Sequence, residues 1–160
     1  MASGNTLCVF TPLHNQPPAT AFATLDLRNA HPVLDFDAAA DEGAIFGSVL
    51  PNHYAAGGIL AILHWTATTA TTGDVKWNGQ FERMNTDLNS DSFDTALSTT
   101  TTTSGTSGII VTTIITFLNS QIDGLAVGGA FRFKVTRDAD VAGDTMAGDA
   151  ELHRVEMREV

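Results

Sequence analysis

The chain has 160 residues, 43% of them hydrophobic and 16% charged, enough for one domain that buries about two-thirds of its unfolded surface without a metal or a disulfide. A net charge of −10 argues against nucleic acid as a partner, because a phosphate track needs Lys and Arg clustered on one face. Cys8 as the single cysteine excludes an intrachain disulfide and a thiolate metal cluster, and the absence of a signal-peptide pattern or a run of about eighteen apolar residues leads us to expect no membrane partner.

Residues 1–21 hold Pro12, Pro17 and Pro18 and show no clean period, so they are expected to form an extended N-terminal arm outside the sheet. The arm still keeps Leu7, Val9, Phe10 and Leu13, apolar residues that suit contact with a neighbouring subunit. From residue 22 to 160 short apolar or alternating runs are separated by Gly, Pro, Asn and Asp, the pattern of strands joined by turns. About eight strands are predicted: 22–27, 33–37, 44–50, 59–66, 75–84, 93–101, 109–118 and 131–137, with 151–158 as a ninth. Phe131, Phe133 and Val135 alternate with Arg132, Lys134 and Thr136, and Trp77, Gly79 and Phe81 with Lys76, Asn78, Gln80 and Glu82, so each strand has one buried and one wet face. Ile59 to Trp65 is apolar on both faces and reads as a strand covered on both sides, by a second subunit on one of them. Thr occurs 22 times, which favours pleated, half-exposed surface, and the Thr99 to Gly108 segment reads as a strand end plus a loop. The one helical candidate, Ser120 to Val127, is short. The fold class expected is all-β, an antiparallel β-sandwich of jelly-roll type.

The chain carries no signature of an enzyme. There is no G-x-S-x-G elbow and no phosphate-cradling glycine motif, and Cys8 sits in an apolar stretch as a small hydrophobe. His14, His31, His53, His64 and His153 are dispersed, with no pair at metal-binding spacing. Asp138, Asp140, Asp144 and Asp149 stand at positions one, three, seven and twelve of a loop with Gly143 at six, a partial match to a calcium loop. Ala142 stands where a fifth-position ligand belongs and Asp149 where a bidentate Glu belongs, so no metal or other cofactor is expected. Asp87, Asn89 and Asp91 form a weaker series, and Asp35, Asp37, Asp41 and Glu42 follow a strand onto a turn without a pocket to separate their pKa values.

The segments 25–37, 57–65, 75–83 and 131–140 resemble those of small jelly-roll virion structural proteins of tailed bacteriophages. That resemblance implies a non-enzymatic capsid cement or decoration protein on the virion, made in the host cytoplasm, binding the major capsid protein as a homotrimer; tail, fibre or baseplate modules come next. It supplies no catalytic or cofactor-binding residue. The residues themselves offer an alternative, a carbohydrate-binding β-sandwich, in which Trp65, Trp77 and Tyr54 are the aromatic platform candidates and Trp77, sharing a face with Phe81, is the better candidate for the core.

Overall fold

A computed structural model describes residues 4–69 and 71–160. Its ten strands are β1 (Thr6–Phe10), β2 (Thr24–Arg28), β3 (His31–Phe36), β4 (Glu42–Val49), β5 (Ile59–Ala67), β6 (Asp74–Arg83), β7 (Leu97–Thr102), β8 (Val111–Phe117), β9 (Ala130–Arg137) and β10 (Ala150–Glu159). Two antiparallel sheets form the sandwich. One has the order β2-β3-β10-β5-β8 with β1 also paired to β10, and the other the order β4-β9-β6-β7. The expected all-β, antiparallel jelly-roll sandwich is therefore the fold. In place of the short helical candidate Ser120 to Val127, residues 119–121 form a single 3-10 turn.

Inward-facing residues obey the period-two rule. Ile59, Ala61, Leu63, Trp65 and Ala67 of β5 meet Trp77 and Phe81 of β6 and Phe131, Phe133 and Val135 of β9 in one core. The rings around Phe81 pack edge to face or tilted, with Phe81 5.0 Å from Phe133 and 4.9 Å from Phe117, a geometry that adds to area burial. Gly79 suits this packing, because a Cβ at that position would lie 3.0 to 3.2 Å from side-chain atoms of Phe117, Phe133 and Ile115 and crowd all three.

Two expectations change. The first 21 residues are not an arm outside the sheet: β1 pairs with β10, Thr6 opposite Arg158 and Phe10 opposite Val155, and Leu7 and Phe10 are buried. The prolines begin only after this strand, at Pro12, where the chain makes a 3-10 turn and crosses to the second sheet, Gln16 N–H donating to the Ile45 carbonyl at 2.7 Å. On the outer face of β5, Ile62 is also buried from within the chain, between the half-buried Leu60 and His64. Ile62 is 4% exposed, lying between Glu156 and Ile114 in register, so its burial calls for no second subunit.

Candidate functional site

The site begins with an irregularity in β10. Residues 150–152 pair with β3, and residues 155–158 pair with β1 on that same edge, so β3 and β1 meet β10 end to end with a gap at His153 and Arg154. Pro32 of β3 lies beside that gap and has no N–H to offer a further ladder. On the other edge the register with β5 shifts between Leu152 and Arg154. Leu152 and Val155 both face the core, so this bulge turns His153 and Arg154 together towards the outer face.

Over the gap lies an open groove of about 850 Å³. Its floor is His153, Arg154 and Glu156 of β10 with His64 of β5; its walls are Arg28, Asn29, His31 and Pro32 on one side and Val9, Thr11, Pro12, Leu13, Gly108 and Ile110 around the rest. The β2–β3 wall turns through Asn29 and Ala30 at φ 46° and 63°, the two left-handed residues of a tight primed hairpin. Arg28 ties this hairpin down by pairing with Glu151 and donating to the carbonyls of Ala67 (3.2 Å) and Thr68 (3.0 Å) and to Ser107 Oγ (3.3 Å). Gly108 leaves room for that guanidinium, since a Cβ there would come within 3.2 Å of it. A second, smaller recess of about 320 Å³ lies between Pro12, Leu13, Phe22 and Leu25.

The polar groups of the floor differ in how far they are already engaged. Glu156 accepts from Thr6 Oγ1 (2.7 Å) and from Arg158 Nε and Nη2 (2.9 to 3.1 Å); burial raises its pKa, but these donors outweigh it and hold the carboxyl below its usual value. His153 Nε2 lies 2.9 Å from Thr66 Oγ1. Burial, aided by Arg28, His31 and Arg154 and opposed by Glu151, holds its imidazole below the usual histidine pKa and so neutral at pH 7. Arg154 is exposed and has neither an ion pair nor a hydrogen bond among the described residues; Arg28, Arg132, Arg137 and Arg158 are ion-paired, and Arg83, exposed and without an ion pair, donates to the Gly124 carbonyl at 3.4 Å. The outer face of the four-stranded sheet is more fully used: Arg132 clamps Glu82 with two 2.8 Å bonds and lies under the Phe93 ring.

Three of the five dispersed histidines, His31, His64 and His153, thus meet in one place. The sequence hid them because they lie on three separate strands. The aromatic candidates do not join them: Trp65, Trp77 and Tyr54 are buried in the core, and Trp65 Nε1 donates to Thr113 Oγ1 at 2.9 Å, so none of the three forms an exposed platform.

The four acids of the calcium-like loop are dispersed among separate tasks. Asp144 is buried in a two-bond pair with Arg137 (2.8 and 3.0 Å), Asp149 accepts from the Ala38 N–H (2.9 Å), and Asp138 pairs with Lys76 Nζ at 2.7 Å. Asp138 and Asp140 come together instead with Asp41, their oxygens within 4.8 Å of one another. Asp41 is already accepting from the Ala139 N–H at 2.8 Å. Burial pushes the Cys8 thiol up to about 12 against a weaker opposing bond from Ser48, which keeps it a protonated, weak nucleophile at pH 7.

No protein-family model matches the chain, and no curated protein matches it. Among solved structures, the CBM22-2 xylan-binding domain from Paenibacillus barcinonensis Xyn10C is similar over 92% of each chain, at 12% identity and a TM-score of 0.52. The family 11 carbohydrate-binding module from Clostridium thermocellum, in complex with a β-1,3-1,4-mixed-linked tetrasaccharide, is similar over 100% of this chain and 98% of its own, at 8% identity and a TM-score of 0.52. An arabinose-bound α-L-arabinofuranosidase, MgGH51, is similar over 91% of this chain but only 23% of its own length, at 14% identity and a TM-score of 0.54. At these identities the likeness establishes the fold, a jelly-roll β-sandwich of the kind found in carbohydrate-binding modules. Nothing in these comparisons connects the chain with virion proteins.

Proposed function

We propose that this chain is a non-catalytic carbohydrate-binding module and that the groove over β10 holds a polysaccharide. The observation that carries the reading is the groove itself: an open, preformed depression of a size usual for ligand sites, on a sandwich whose neighbours include xylan-binding domains and a carbohydrate-binding module in complex with a β-1,3-1,4-mixed-linked tetrasaccharide. A pyranose presents flat C–H faces and a rim of hydroxyls. Pro12, Pro32 and Ile110 offer apolar surface for the first, and Asn29, His31, His64 and Arg154 offer hydrogen-bonding groups for the second. Glycoside hydrolysis needs two carboxyl groups flanking the bond. Glu156 is the one acid in the groove lining among the described residues, and its oxygens are occupied by Thr6 and Arg158, which supports binding without cleavage.

Affinity gel electrophoresis through a panel of soluble plant polysaccharides tests this. At least one polymer should retard the native chain, and His64→Ala combined with Asn29→Gly, which keeps the left-handed turn residue, should remove the retardation while leaving the thermal midpoint near its native value. Unretarded migration in every polymer, or retardation that survives the double replacement, would overturn the assignment.

A further inference from the structure

The charge of the groove runs against that of the molecule. The chain as a whole carries −10 with its histidines counted as neutral, yet on the same count the groove lining holds two arginines against one acid. That acid, Glu156, is neutralised by Arg158. Arg28 is spent on Glu151 and on three further oxygen acceptors. What is left over is Arg154, facing His64 across the ladder and turned outward by the bulge that distinguishes this part of β10.

An exposed arginine beside a glutamate two residues away on the same strand face would ordinarily pair with it. Here Thr6 and Arg158 hold Glu156, and the Arg154 fork stays free. A guanidinium matches a carboxylate with two parallel bonds, a fit that an ammonium or an imidazole does not reproduce. We propose that the groove takes an acidic glycan, one bearing uronic acid residues, and that Arg154 receives the sugar carboxylate. The inference rests on the carbohydrate-binding reading and narrows it to a substrate class. The acidic remainder of the surface does not oppose it at contact, because at physiological ionic strength charges more than about 8 Å away are largely screened.

The experiment is titration calorimetry of the full chain with two matched pairs of oligosaccharides: an oligogalacturonide and its carboxyl-reduced form, and a glucuronic-acid-substituted xylo-oligosaccharide and its carboxyl-reduced form. A sulfated oligosaccharide serves as the non-carboxylate anion. At least one acidic probe should bind about tenfold or more tightly than its reduced partner, as expected of a charge-assisted bidentate bond. Arg154→Gln should abolish that preference, leaving the acidic and the reduced form with the same affinity, and Arg154→Lys should restore only part of it. Equal affinity for acidic and reduced forms would overturn the acidic-glycan inference and leave the glycan groove standing. A preference that survives Arg154→Gln, or that is met better by the sulfated probe, would overturn the role given to Arg154 and the carboxylate. No binding to any probe, acidic or neutral, would overturn the inference together with the reading beneath it.

Discussion

Two arginines on neighbouring parts of the fold are treated in opposite ways. Arg137 is fully buried at the end of β9 and uses all its donors: two on Asp144, the others on the carbonyls of Phe36, Met146 and Gly148 at 2.7 to 3.3 Å. Arg154 stands exposed in the groove and uses none among the described residues. The first holds the 138–149 loop against both sheets; the second holds nothing. In a chain with 18 acids and 8 strong bases a guanidinium has no shortage of partners, and what sets Arg154 apart from Arg83, which is also exposed and without an ion pair, is its place in the lining of a groove. Asp35 is the acidic counterpart of neither. Burial and then the neighbouring Asp149, Glu151, Asp26 and Glu42 push its pKa up to about 6, and its Oδ1 is buried without a hydrogen-bond partner.

The contrast can be broken at its strong end first. Asp144→Ala leaves Arg137 buried and uncompensated and should cost about 3 to 5 kcal/mol in urea denaturation, whereas Arg137→Met together with Asp144→Leu should cost less than the single change. A loss under about 1 kcal/mol for Asp144→Ala would mean that the guanidinium finds water. The intermediate case is Asp35. Its folded pKa lies above its unfolded value of 3.8, so the native chain loses stability as pH rises through about 6, and an asparagine cannot suffer that loss. Asp35→Asn should therefore be the more stable form at pH 8, on the order of 1 kcal/mol after allowance for the screening of a half-exposed group, with the gain gone by about pH 4. Thermal unfolding of both forms across that range checks the sign. At the weak end, Arg154→Ala should change stability by less than about 0.5 kcal/mol; a larger loss would show that this side chain is structural and spoil the comparison.

Alternation carried most of the fold into the sequence. Phe131, Phe133 and Val135, or Trp77 and Phe81, announce their strands because one face of each sheet must be buried. β1 was obscured by the nearby prolines, although Leu7 and Phe10 carried the apolar signal, and its partner is the most distant strand in the chain, so no local pattern points to it. The groove was illegible for a related reason. Its residues come from segments as far apart as Val9, Asn29, His64, Ile110 and Arg154, and what assembles them is a change of partner along one edge of β10. The acids at 138, 140, 144 and 149 show the converse failure: their spacing is visible in the sequence, but Arg137 lies just outside it and claims Asp144 for the interior.

The placement of β10 also bears on how the chain comes to fold. All four strands of the smaller sheet have been made by residue 137, but the six-stranded sheet lacks its middle member until residue 159 has been added. Until then β1, β3 and β5 have no strand in common, and each presents an open edge that another chain can extend. Joining β1 to β10 then closes a loop of nearly the whole chain, a contact whose entropy must be met late and which places the protein among the slower-folding β topologies. Synthesis therefore leaves an interval in which half of the sandwich is ready and the other half is a set of unpaired edges, the stage at which this chain is most exposed to aggregation.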